Sequence, residues 1–313
     1  MSRRPSRAPS APVLLALCGA VGLAGCEVRQ APQPEPPAVA WQPPADSLIP
    51  ADSLGAAIRR GLAILTNTHD SLPAYAPHPI NCTSCHLDGG RRKNTGALIG
   101  VQARYPAFNS RAAAVVTLED RINFCFTRSL SGYRLPDESR EMHDLVAYLS
   151  FLSRGLPIGS EPAGLGIAAI PVLAGDTAAG RTVYDGTCAA CHGGAGEGGT
   201  FPRAPALWGP QSYSIGASMA RTERAAAFIR HNMPFNAPGT LTDQQAWDVA
   251  AYINAQPRPD MPGKERDWPA GDAPADVPYA TSGHAASERR VVLPRPHPER
   301  AEVGPAQPAD RRS

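Results

Sequence analysis

The sequence predicts a mainly α, loop-rich chain of two similar domains in tandem, and three observations carry that expectation. Two pentapeptides, Cys82-Thr83-Ser84-Cys85-His86 and Cys188-Ala189-Ala190-Cys191-His192, start 106 residues apart. A helical pattern precedes each, and an amphipathic one closes each half after a long irregular stretch. Glycine and proline are abundant, 29 and 34 among 313 residues. Such loops count against an ordinary hydrophobic domain, but they suit one whose core is completed by a large flat cofactor. Cys-x-x-Cys-His is the attachment signature of c-type haem: two thiols close thioether bonds to the porphyrin and the histidine reaches the iron. Zinc would want the cysteine pairs close in sequence, and a thioredoxin-like dithiol needs a βαβ context. The expectation is therefore two covalently bound haem c groups, on Cys82 and Cys85 with His86, and on Cys188 and Cys191 with His192.

The N-terminus comes first. Arg3, Arg4 and Arg7 precede an apolar run over 11–23 that ends in Leu23-Ala24-Gly25-Cys26. This reads as a secretory leader over 1–25, because the run falls short of the ~20 residues a membrane span needs. The Leu-Ala-Gly-Cys ending resembles a bacterial lipobox, which implies lipidation at Cys26. The expected location is the periplasm of a Gram-negative-type bacterium, with a lipid anchor as the sole membrane attachment. Residues 26–52 are proline-rich and read as a spacer. The formal net charge is +2; without the three leader arginines it is −1, which gives no ground for a nucleic-acid partner.

The two halves then follow one plan, that of small cytochrome c-like domains. In the first, 53–157, residues 54–66 predict the opening helix, with Gly61 as a close-packing point. Residues 138–152 predict the closing one, with Met142, Leu145, Val146, Leu149 and Leu152 at helical spacing. A Gly-, Pro- and Ala-rich linker occupies 158–175. In the second, 176–258, residues 176–184 open the domain. Thr242-Asp243-Gln244-Gln245 is a capping box that starts the closing helix. Residues 259–313 form a proline-rich tail, expected to be largely disordered after about 281.

Sixth ligands follow from aligning the halves. Met233 lies 41 residues after His192, with a helical run over 222–231 before it and a proline behind it. Met219 and Met261 compete with it. The matching position in the first half is Cys125, 39 residues after His86. Seven cysteines are present; the leader takes Cys18, lipid Cys26 and porphyrin four, so Cys125 has no disulfide partner. Met142 competes for the first iron, with His143 and His78 as outsiders, but Met142 falls on the packing face of a helix. A thiolate lowers an iron potential relative to a thioether, so the two haems would differ in driving force.

Thr117-Leu118-Glu119-Asp120 starts another helix, on which Arg121, Cys125 and Ser129 recur every four residues. Guanidinium, sulfur and hydroxyl thus share one face. A cation beside sulfur favours the thiolate, and Arg111 upstream adds a second positive charge. On spacing alone these arginines serve equally well to pair haem propionates.

Residues 116–132, with Arg111, Tyr105-Pro106, Glu141-Met142 and Ala147-Tyr148-Leu149, closely resemble the dihaem thiosulfate dehydrogenases that form tetrathionate. The resemblance runs over about 52–279. It implies that Cys125 ligates the first haem, that Arg111, Arg121 and Ser129 line the substrate pocket, and that the second haem takes His192 and Met233. Some members use a lysine next to that methionine. Here Asn232 stands there, and Lys93 and Lys264 are the only lysines. The resemblance also implies that part of 267–279 packs against the domains. The function implied is oxidation of two thiosulfates to tetrathionate, or the reverse, with electrons leaving through the second haem to a periplasmic cytochrome or similar acceptor. Two other readings are a pure electron-transfer dihaem cytochrome and a Cys-ligated haem subunit of a thiosulfate-oxidising complex.

Overall fold

The computed structural model describes residues 41–160, 162, 164–199 and 204–283. The expected leader, the lipidation site Cys26, most of the spacer and the far tail lie outside the described residues.

Helix α1 (Ser53–Thr66) opens the first domain, its N-terminus capped by the Asp52 carboxylate, which accepts from the Gly55 amide. Two single turns, α2 (Thr68–Ser71) and α3 (Leu87–Gly90), flank the first haem motif. A two-stranded antiparallel hairpin follows, β1 (Ala107–Asn109) and β2 (Ala114–Val116), with Ala107 opposite Val116. Helix α4 (Leu118–Phe124) starts on the Thr117–Asp120 capping box, and α5 (Arg140–Phe151) on Ser139. In the second domain α6 (Thr177–Val183) leads through a wide turn, Tyr184–Cys188, into α7 (Ala189–His192). Helices α8 (Thr222–Asn232) and α9 (Asp243–Asn254) complete it, the latter on the Thr242–Gln245 box.

Both domains pack their opening helix across their closing one at a glycine. A Cβ on Gly61 would lie 2.0 Å from the Asp144 carbonyl oxygen, and one on Gly180 the same distance from that of Asp248. Only hydrogen allows backbones this close, and Gly61 is the point that the sequence singles out. In each pair an aromatic hydroxyl ties the helices to the haem loop: Tyr148 donates to the Gly89 carbonyl at 2.8 Å, and Tyr184 to that of Gly193 at 2.6 Å. The first core gathers Ile58, Leu65, Phe126, Met142, Leu145 and Leu149. The second is small and aromatic: Tyr184, Trp208 and Tyr252 sit with ring centroids 4.8–5.7 Å apart.

Two segments read as spacer and tail are packed where described. The Trp41 indole donates to the Arg154 carbonyl at 3.0 Å, and Arg91 pairs with Asp46, so the end of the expected spacer lies on the first domain. Residues 259–283 fold into a strap with its own core of Met261, Trp268, Val277 and Tyr279. No helix of the described residues is long and apolar enough to cross a membrane.

Candidate active site

The first haem motif opens on a 3-10 turn, Cys82–Ser84, fixed by a reciprocal Asn81–Ser84 cap. Thr68 accepts from the Cys82 amide at 3.0 Å. The His86 ring turns Nδ1 toward the Gly96 carbonyl at 2.6 Å. A carbonyl only accepts, so Nδ1 carries the proton and Nε2 keeps its lone pair for a metal. In the second domain His192 does the same with the Pro205 carbonyl at 2.9 Å. Burial pushes the Cys82 and Cys85 thiols up to about 12 and Cys188 to about 11. Paired thiols in apolar enclosures, each pair followed by a histidine with its tautomer set, fit covalently attached haem. Among the described residues no His, Cys, Asp and Glu cluster is arranged to hold a bare metal ion.

Cys125 stands at the junction of α4 and a turn that the sequence does not foretell. From Cys125 to Ser129 the helix widens to a π turn, closed by the Leu130 amide donating to the Cys125 carbonyl at 2.9 Å. Such turns re-aim side chains and occur often at functional sites. Arg121 Nη1 donates to Cys125 Sγ at 3.0 Å. The His86 ring lies within hydrogen-bonding reach of the same sulfur, and the Tyr105 hydroxyl engages Arg121. Burial pushes the Cys125 thiol up, but its neighbours, the charge of the Arg121 guanidinium foremost, outweigh it and bring it down to about 6. The arrangement presents a thiolate toward the free nitrogen of the motif histidine. Ser129 ends the same turn, half-buried.

Arg111 sits elsewhere than the helical stripe. It occupies the hairpin turn between β1 and β2, shaped by the Asn109 side chain accepting from the Ala112 amide at 3.1 Å. Its Nε donates to Asp267 at 2.8 Å, its Nη2 to the Gly216 carbonyl at 2.8 Å and to the Tyr279 hydroxyl at 2.6 Å. Trp268 covers its face at 4.6 Å. No contact among the described residues joins Arg111 to Arg121 or Cys125. Arg128, one residue before Ser129, reaches the same Asp267 at 2.7 Å.

The competing methionines are placed in cores. Met142 is fully buried among the first-domain helices, and His143 is exposed. Met219 packs on the first core, Met261 within the strap. Met233 caps the C-terminus of α8, half-buried. No spacing or motif in the sequence marks Tyr105, Arg128, Asp267 and Tyr279 as reaching the site. The last two approach it from more than 100 residues away, across a tail whose composition reads as linker; pattern carries no trace of such contacts.

Comparison with known proteins places both domains. A family profile described as SoxA/TsdA, cytochrome c domain, matches residues 75–158, and one described as cytochrome c matches 177–257. A thiosulfate dehydrogenase of Psychrobacter arcticus is 42% identical over 240 residues, 75% of this chain and 73% of that protein. One from Allochromatium vinosum is 40% identical over 72% of this chain and 87% of its own length. Among solved structures, thiosulfate dehydrogenase (TsdBA) from Marichromatium purpuratum, in its as-isolated form, superposes with a TM-score of 0.67 at 34% identity. That match covers 71% of this chain, which spans half the length of the solved one.

Proposed function

This chain belongs to the thiosulfate dehydrogenase family, and from that premise we propose the division of labour among its residues. It is a thiosulfate-oxidising cytochrome with two c-type domains. The proposed reaction joins the outer sulfurs of two thiosulfates into one S–S bond, releasing tetrathionate and two electrons; the same residues serve the reverse. Haem c, held through Cys82, Cys85, Cys188 and Cys191, would supply acceptance and onward passage of single electrons.

The rest falls to side chains. His86 and Cys125 would hold the iron of the first haem, and His192 and Met233 that of the second. Two dianions repel, so cations must offset their charge where they meet. Arg121 is the first of these, because it already holds an anionic sulfur at 3.0 Å. Ser129 donates a neutral hydrogen bond from the same turn, and Arg111 adds charge from the hairpin. The single observation that carries this reading is the Cys125 sulfur set between the Arg121 guanidinium and the His86 ring. A pure electron carrier has no use for a guanidinium there.

The remaining proposals rest on the leader: export to the periplasm, a lipid anchor at Cys26, and a periplasmic cytochrome or similar electron acceptor. Cys125→Gly tests the core of the reading. Both haems should remain attached while thiosulfate oxidation falls to background; retained turnover would contradict the role given to Cys125.

A further inference from the structure

Asp267 is buried at 3% exposure and shared by two guanidiniums that start from different parts of the first domain. Arg111 comes from the hairpin turn; Arg128 comes from the wide turn that carries Cys125 and Ser129. The two cations are close enough to repel each other, and only a shared anion lets them sit side by side. Tyr279 completes the clamp, donating to Asp267 at 2.7 Å while accepting from Arg111 at 2.6 Å. The Trp268 amide donates to the Arg111 carbonyl at 2.9 Å, which fastens the strap to the hairpin backbone. The fork of Arg111 keeps its Nη1 edge without a protein acceptor among the described residues. Arg128, stacked on Phe124 at 4.1 Å, uses Nη2 alone among its contacts with the described residues. Each therefore retains N–H groups for a further anion.

We propose that the C-terminal strap completes the substrate site, with Asp267, seconded by Tyr279, as a positioning residue that locks Arg111 and Arg128 toward one sulfur oxyanion. Arg128 is thereby a third anion-binding arginine beside Arg111 and Arg121. The inference rests on the reading of Arg111 as a substrate contact. It separates from two blander roles by sign. If Asp267 merely subtracted charge, removing it would strengthen binding of a dianion. If it merely docked the strap, removing it would lower thermal stability and leave the KM of the folded enzyme alone. Positioning predicts weaker binding despite the added positive charge, because misaimed guanidiniums lose their charge-assisted hydrogen bonds to the oxyanion.

The test is steady-state oxidation of thiosulfate by the full-length, haem-loaded protein, comparing Asp267→Asn, Asp267→Glu, Tyr279→Phe, Arg128→Gln and Arg111→Gln, with haem content measured on each. Asp267→Asn should raise the KM about tenfold, Arg128→Gln should do likewise, and Tyr279→Phe should raise it a few-fold. Asp267→Glu should recover part of the loss. Unchanged or lower KM in Asp267→Asn and Tyr279→Phe, beside a raised KM in Arg111→Gln, would overturn the strap proposal alone. An unchanged KM in Arg111→Gln would overturn the substrate role of Arg111 and the strap proposal with it. Should Asp267→Asn fail to accumulate, Tyr279→Phe and Asp267→Glu decide the matter.

Discussion

Three cysteines share one enclosure around the first haem motif, and their surroundings drive them in opposite directions. Burial, reinforced by the charge of Cys125, pushes the Cys82 and Cys85 thiols up and holds both neutral. Cys125 feels the same burial but also a guanidinium at 3.0 Å, and the cation wins. Replacing Arg121 by Gln should raise the Cys125 thiol and lower kcat about 10²–10³-fold, the scale of losing one preorganised charge donor; Lys should not rescue it fully, since an ammonium lacks the fork. The comparison is a kinetic one at fixed haem content. Asp267 supplies a second residue-scale prediction. Burial pushes its carboxyl up, but Arg111, Tyr279 and Arg128 together hold it below the ordinary carboxylate range. Its contribution to stability is therefore complete above the unfolded carboxylate value of about 4 and fades as pH drops through the lower folded one. Hydrogen exchange at the Trp268 amide should be flat from neutral pH down to about 5 and quicken, after correction for intrinsic rates, only below that range. At this scale the sequence shows part of the site: the four-residue spacing of Arg121 and Cys125 predicts the contact they make, whereas Ser129 lies on the wide turn beyond the helix. The contacts of Tyr105 and Asp267 are non-local, and no spacing rule reaches them.

Among the elements, the helices were the most legible because their start signals are local. Asp52, Thr117, Ser139, Asp176 and Thr242 all act as caps in the structure. The β1–β2 hairpin was not anticipated. Its turn, Ser110-Arg111-Ala112-Ala113, has none of the Asn-Gly chemistry that announces hairpins, and Ala113 takes a positive φ of 49°. The wide turn at Cys125 was equally silent, since a π turn differs from an α turn by one hydrogen-bond register rather than by residue type. Element packing offers its own test. Gly61→Ala and Gly180→Ala each drive a methyl into a carbonyl oxygen, so each should cost at least about 1–3 kcal/mol through forced separation of the helices. Thermal denaturation followed in the haem band reads this directly. A loss below about 0.5 kcal/mol, the usual scatter of neutral changes, would contradict the close approach.

At the scale of the molecule, the two domains are not beads on a string. Tyr213, Ala217 and Ala220 belong to the core of the first domain although they lie in the second half. Ser131 donates to the Ser212 carbonyl at 3.3 Å, and Asn232, 2% exposed, donates to the Asn94 carbonyl at 2.8 Å. Two residues beyond Asn94, the Gly96 carbonyl fixes the His86 tautomer. One short loop thus supports the motif histidine of the first domain and the residue preceding Met233 of the second. Asn232→Ala would remove the donor of the half-buried Asn94 carbonyl and leave a gap where its own buried side chain sat, at a cost of about 1–3 kcal/mol. It should loosen the coupling of the two domains, so that a single melting transition broadens or splits in two, as calorimetry would record. Tandem repetition was readable from two motifs; this mutual burial was not, because apolar residues in loops carry no period.

The account depends on sulfur from Cys125 lying on the iron that His86 faces. Low-temperature electron paramagnetic resonance of the oxidised protein, wild type beside Cys125→Gly, tests it most directly. A low-spin imidazole–thiolate signal present in the wild type and abolished by the substitution, with the second haem's signal unchanged, is the predicted result. Identical spectra from the two proteins would contradict it.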